Sequence, residues 1–222
     1  SFKSKQCSSI SQPLQMLHMD LCGPVSTPSL GGKKYMLVIV DEYSRYTWVF
    51  FIRHKSDAAE EIIRFVRLME NLNDQMVKYI RSDNGTEFKN VTLNSFCIEK
   101  GISQTYSAAR TPQQNGVAER RNRTLIEAGR SMMAQNGVKS HFWPEAIHTA
   151  CYTQNRSLIV KRHQKTAYEL LKGRKPDIGY LRMFGSPCFI LNQRDQLKKF
   201  DEKADEGDRK STRLNSSHGY IS

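Results

Sequence analysis

The stretch YMLVIVDEYSRYTWVFFIR, Tyr35 to Arg53, decides the fold class. Two runs rich in β-branched and aromatic residues, Tyr35–Asp41 and Tyr46–Arg53, are separated by a few polar residues, and this predicts an antiparallel hairpin. Upstream, LQMLHMDL (Leu14–Leu21) alternates Leu17, Met19 and Leu21, the pattern of a strand, with Asp20 near its end. Pro24, Pro28 and the Gly31–Gly32 pair mark the turn region between them. Downstream, Ser56 is a good N-cap, and Ala58, Ile62, Phe65, Val66 and Met69 fall at helical spacing. Val77–Arg81 reads as a short strand running into the turn sequence Ser82-Asp83-Asn84-Gly85. A helix is predicted from Thr86 to about Lys100, closed by Gly101, and a strand over Ile102–Tyr106. Asn115 opens a longer helix reaching about Ala134. Helical pieces follow around Phe142–Arg156 and Ala167–Lys172, then an apolar stretch at Pro187–Leu191.

Three strands, then strands alternating with helices, make an α/β pattern with an opening antiparallel meander. With the first strand inside the meander, the fourth can pair parallel to it after a crossover helix. The ends of those two neighbours carry Asp20 and Asp83.

Composition narrows the function. The 222 residues include 34 Lys and Arg against 22 Asp and Glu, a formal charge of +12. Hydrophobic residues make up 38%, enough for a sizeable core, so wholesale disorder is excluded. The longest apolar runs, Met36–Val40 and Trp48–Ile52, are strand-sized and too short to span a membrane. Five widely spaced cysteines without a C-x-x-C pair argue for reduced thiols rather than a disulfide framework or zinc cage. No G-x-x-x-x-G-K-[ST] loop occurs, so a nucleotide cofactor is not expected. Ser1 is not an initiator Met, and the chain reads as a piece of a longer polypeptide. The positive excess predicts a polyanion as partner, because Lys and Arg release the counterions condensed on phosphates. It is concentrated late: Thr153–Lys199 holds eleven Lys and Arg against three acids. A solvated basic surface explains that charge equally well.

Three acids stand out by position: Asp20 at a strand end, Asp83 at a strand-to-turn junction, and Glu119 early in the long helix. Thirty-five residues lie between Asp83 and Glu119. Clustered carboxylates repel unless a cation joins them, and hard oxygens suit magnesium or manganese. Two such ions can assist in-line displacement at phosphorus. A helical wheel puts Val117, Leu125, Ala128 and Met132 on a core face, with Glu119, Asn122, Arg123 and Arg130 opposite. That face reads either as a metal ligand beside phosphate donors or as an ordinary solvated surface with i,i+4 pairs.

The strings HMDLCGP (His18–Pro24), RSDNGTEF (Arg81–Phe88) and RTPQQNGVAERRNRTL (Arg110–Leu125) resemble the integrase catalytic core of copia-type LTR retrotransposons. FWPEA (Phe142–Ala146) and RMFGSPCF (Arg182–Phe189) resemble the same family, and the similarity runs to about Gly207. The resemblance implies an α/β, RNase H-like fold with a five-stranded mixed sheet of order 3-2-1-4-5, flanked by helices and followed by a helical C-terminal extension. It implies a catalytic, metal-binding triad of Asp20, Asp83 and Glu119 holding two Mg²⁺ or Mn²⁺ ions. DNA contacts are expected from Arg110, Gln114, Asn115, Arg120, Asn122 and Arg123. The implied activity is joining of element DNA ends to target DNA by phosphodiester transesterification, by a homo-multimer acting in the nucleus. The implied organisation is a linker over 1–13, a catalytic core over 14–160, a basic extension over 161–207, and an unpacked tail over 208–222. A zinc-binding module is expected upstream.

Two other classes stand beside this one. One is a non-catalytic DNA-binding or assembly fragment; the other is an RNase H-like nuclease that uses water as nucleophile. His18 and Cys22 have zinc-ligand spacing but no second pair, so a core histidine and a buried thiol are expected.

Overall fold

Alternation along a single strand, β2 (Tyr35–Asp41), divides the protein into two cores. Leu37 and Ile39 enter one cluster, whereas Met36, Val38 and Val40 enter the other. Six consecutive buried positions, Met36–Asp41, mark a strand covered on both faces. The computed structural model describes residues 10–107, 115–191 and 204–208.

The central sheet has the order β3-β2-β1-β4-β5. Strand β1 (Met16–Cys22) runs antiparallel to β2 and parallel to β4 (Tyr79–Ser82). Strand β3 (Thr47–Ile52) closes the hairpin, and β5 (Ser103–Tyr106) pairs parallel to β4. The sheet order expected above is therefore the observed one.

Helices α1 (Asp57–Asn73) and α2 (Val91–Lys100) cover one face. Ile62, Phe65 and Met69 of α1 are at most 1% exposed, and each such side chain contributes roughly 1.5–3 kcal/mol by leaving water. The other face is covered by α3 (Gly116–Gln135) and α4 (Trp143–Ser157), joined by a 3-10 turn at Ser140–Phe142.

Helix α2 starts later than the sequence predicts. The Phe88 and Lys89 N–H groups both donate to the Gly85 carbonyl, closing a turn. Asn90 then adopts an extended backbone, and its side chain accepts from the Leu93 N–H, so the helix is capped there and not at Thr86. Its end is as expected, with Gly101 left-handed at φ +69°.

The rotation of α3 also differs from the helical wheel. Its buried stripe is Gly116, Ala118, Asn122, Leu125 and Gly129, while Val117, Ala128 and Met132 are only partly buried. At Gly129 a Cβ would stand 2.9 Å from Ile147 Cγ1, so the α3–α4 approach turns the small residues inward.

Beyond α4 the chain forms a β6–β7 hairpin (Ile159–Val160 and Lys165–Thr166), which straddles the expected boundary at residue 160, and the capped helix α5 (Ala167–Lys172). Ala167 and Tyr168 complete the first core. Strands β8 (Pro187–Leu191) and β9 (Ala204–Asp208) pair with each other. No described helix is long and apolar enough to cross a membrane.

Candidate active site

Side-chain parity on β1 places Leu17 and Met19 in the α1–α2 core, so Asp20 and Cys22 face α3. On β4, Ile80 enters the same α1–α2 core, so Arg81 and Asp83 share the opposite parity. The parallel register pairs His18 with Arg81. Asp83 directly follows Ser82, the last residue of β4, so it and Asp20 lie at the adjoining ends of two paired strands.

Helix α3 is brought to this point by two asparagines. Asn115, fully buried, donates from Nδ2 to the Met19 carbonyl at 3.0 Å. Two turns later Asn122, 5% exposed, donates from Nδ2 to Asp20 Oδ2 at 2.8 Å. Glu119 lies between them at i+4 from the first, so its turn of helix is held over the end of β1. Asp83 is fixed from its own turn, where the Gly85 N–H donates to its Oδ1 at 3.0 Å.

The electrostatics report the same convergence. Burial holds the Asp20 carboxyl above its ordinary range, and the Asp83 and Glu87 charges push it the same way against the Asn122 and Leu21 donors. Glu119 is also raised, by desolvation first and then by Asp20 and Asp83, with Arg120 and Arg123 opposing. Among the described residues no three acids, histidines or cysteines close into a ready-made metal cage. The donor set nevertheless fits a hard divalent cation. Its oxygens are carboxylates whose mutual repulsion a cation relieves, and magnesium keeps several waters and binds through one or two carboxylates.

The residues expected to contact DNA separate into three groups. Arg120 and Arg123 are exposed on α3, flanking Glu119. Asn115 and Asn122 are turned inward, a correction to their expected place on the phosphate-facing surface, because Met19 and Asp20 take their amide groups. Arg110 and Gln114 lie outside the described residues. His18 is buried and pairs with Glu42 at 2.8 Å. The sequence reading gave no role to Glu87 or Lys55, although Glu87 stands inside the RSDNGTEF string. What gives them away is a contact between two loops, which spacing along the chain does not reveal.

This sheet order, with carboxylates at the adjoining ends of β1 and β4 and a third on the helix above them, defines an RNase H-like core of the integrase type. Residues 10–112 match the integrase core domain family. The chain is similar to copia-type Pol polyproteins of plant transposons. It is 34% identical over 191 residues to the retrovirus-related Pol polyprotein from transposon TNT 1-94 of Nicotiana tabacum, covering 86% of this chain and 14% of that protein. It is 31% identical over 195 residues to the one from transposon RE1 of Arabidopsis thaliana, covering 87% and 13%. The chain thus spans about a seventh of these relatives. Among solved structures, the HTLV-2 integrase catalytic core domain in complex with magnesium matches with a TM-score of 0.54 at 19% identity, over 72% of this chain and 97% of that one. A chain of a simian T-cell lymphotropic virus intasome in complex with PP2A regulatory subunit B56 gamma matches with a TM-score of 0.60 at 16% identity, over 89% of this chain and 68% of that one. At such identities the likeness establishes the fold.

Proposed function

We propose that this chain is the catalytic core that joins retrotransposon DNA ends to target DNA by transesterification at phosphorus. What supports the reading is that Asp20 and Asp83 sit at the adjoining ends of β1 and β4, that Glu119 rides on the helix whose Asn122 bonds Asp20, and that the charges of Asp20 and Asp83 are felt at Glu119. Asp20 and Asp83 would hold Mg²⁺ or Mn²⁺, with Glu119 completing the set. Bound there, a pair of such ions supplies Lewis-acid stabilisation of the charge that develops at the phosphate.

The chain's own groups do the rest. Asn122 locks the Asp20 carboxylate in one orientation and keeps its charge against the pull of burial. The Gly85 N–H fixes the orientation of the Asp83 carboxylate. Arg120 and Arg123 offer guanidinium groups to backbone phosphates, contacts that position DNA without reading its sequence. The attacking 3′-hydroxyl of the element end loses its proton as its oxygen bonds to phosphorus. The target strand's 3′-oxygen leaves and takes up a proton, so the number of phosphodiester bonds is conserved.

Because two DNA ends are joined to one target, the active form is expected to be a multimer, working in the nucleus. The test is a strand-transfer assay with oligonucleotide ends, using the chain extended upstream by its zinc-binding module. Divalent-dependent joining is expected, and Asp83→Asn should lower it by about 10³-fold or more. Joining that survives Asp83→Asn would remove Asp83 from the mechanism. Hydrolysis without joining would favour a nuclease, and salt-sensitive binding with neither product would favour an assembly fragment.

A further inference from the structure

Glu87 is a carboxylate that the mechanism above leaves unused, yet its side chain is only 8% exposed. It follows Gly85 by two residues and lies back against it. A Cβ built on Gly85 would stand 2.7 Å from Glu87 Cδ and Oε2 and 3.0 Å from Oε1. The same glycine donates its N–H to Asp83 Oδ1 at 3.0 Å. On its other side Glu87 Oε1 meets Lys55 Nζ at 3.9 Å. Lys55 belongs to the loop between β3 and α1, and its side chain is 52% exposed. A line of contacts therefore runs from Asp83 through Gly85 and Glu87 to Lys55, and ties two loops together at the carboxylate end of the sheet.

A withdrawn carboxylate is costly unless its position is used, and a long ion pair to a half-exposed lysine adds little to global stability. The carboxylate nonetheless occupies the space that a side chain at position 85 would take, flat against the turn that holds Asp83. Glu87 also lies close enough to Asp20 for its charge to be felt there.

We propose that Glu87 is a positioning residue: its carboxylate backs the Asp83–Gly85 turn and, through Lys55, fastens the β3–α1 loop to it. Asp83 is thereby held in place beside Asp20. The importance of this for catalysis rests on the proposed role of Asp83, whereas the positioning itself does not.

The test uses the full 222-residue chain with Glu87→Gln, which keeps the shape and removes the charge, and Lys55→Met, a change on a half-exposed side chain. Two quantities are read: the hydrogen-exchange rate of the Gly85 amide by NMR, and Mn²⁺ affinity by electron paramagnetic resonance. Both variants should speed Gly85 exchange by about tenfold, while amides of the α1 core keep their rates. Both should weaken Mn²⁺ binding by roughly threefold to tenfold. Lys55→Met is the sharper variant, because losing a nearby positive charge would by itself strengthen Mn²⁺ binding. Unchanged Gly85 exchange in either variant, or tighter Mn²⁺ binding in Lys55→Met, overturns the proposal. If the parent binds no Mn²⁺ but Gly85 exchange responds in both variants, the positioning stands and the divalent-cation reading of the site is what fails.

Discussion

Replacing Asn122 with Ala isolates the contact that sets the state of Asp20. The bond is short, 2.8 Å from Nδ2 to Oδ2, and both partners are withdrawn from solvent. Hydrogen bonds to charged groups are worth about 1.5–3 kcal/mol, so Asn122→Ala should cost roughly that much at pH 7. The pH dependence follows from the direction of the shift. Burial, then Asp83 and Glu87, already hold Asp20 above its ordinary 3.8, and removal of the Asn122 donor raises it further. An acid raised on folding binds protons more tightly in the folded state, so stability falls as pH rises through the folded value. The deficit of Asn122→Ala should therefore be full at neutral pH and shrink as pH falls toward the ordinary carboxylate value. Urea denaturation of parent and variant at about pH 7 and about pH 4 measures it. Divalent-dependent joining should drop about tenfold to a hundredfold at neutral pH, the same free energy read as a barrier. A deficit of equal size at both pH values would refute the reasoning, since the contact would then have no charge component.

Other expectations concern separate parts of the protein. Asn155 donates to the Thr47 carbonyl at 2.8 Å and accepts from the Thr47 N–H at 3.0 Å, so Asn155→Ala should cost about 1–3 kcal/mol in thermal or urea unfolding by orphaning that N–H on edge strand β3 and leaving the carbonyl only the weaker Cys151 thiol donor. Gly129→Val should destabilise by about 1–3 kcal/mol in the same assay, since its Cβ alone would press on Ile147 at 2.9 Å. Arg120→Ala and Arg123→Ala should each reduce the slope of log affinity against log salt by about one in a DNA titration, with melting temperature unchanged. Burial pushes the Cys151 thiol up to about 11, so iodoacetamide near neutral pH should label it only after unfolding, and prompt labelling of the folded chain would count against its burial.

Much of the fold is legible because the sheet is built from strong local signals. The β2–β3 hairpin announces itself by apolar runs, and the end of α2 by Gly101. Errors arise where a single side chain overrides periodicity. Asn90 caps α2 four residues after the predicted start at Thr86, because the turn around Gly85 occupies the intervening backbone. On α3 the wheel, with Val117 taken as a core position, gave Asn122 to the polar face. The helix instead rotates so that small Ala118 and Gly129 approach the sheet and α4, and this carries Asn122 inward. The three acids could be named from their elements and motifs. The groups that hold them could not, since Asn122–Asp20 spans 102 positions and Lys55–Glu87 joins two separate loops.

The placement of α3 shows why the acid on the helix and the acids on the strands form one unit. An apolar stripe such as Ala118 and Leu125 fixes how a helix rotates against a sheet, but it resists sliding along the strand only weakly, because dispersion is non-directional. Directional bonds supply the missing constraint. Asn115 grips a backbone carbonyl of β1 and Asn122 grips the next residue's carboxylate, with Glu119 suspended between the two anchors. One anchor depends only on the main chain and persists whatever the charge of the site. The other strengthens when Asp20 is ionised, because a charged acceptor binds an N–H about twice as strongly as a neutral one. Ionisation of Asp20 and docking of the Glu119 helix are thus coupled. A substitution that neutralises Asp20 should loosen the second anchor and let the middle of α3 shift while Asn115 still holds its first turn. Asp20→Asn should therefore raise amide exchange around Asn122 with little change at Gly116 and Val117, a gradient along one helix that uniform destabilisation would not produce.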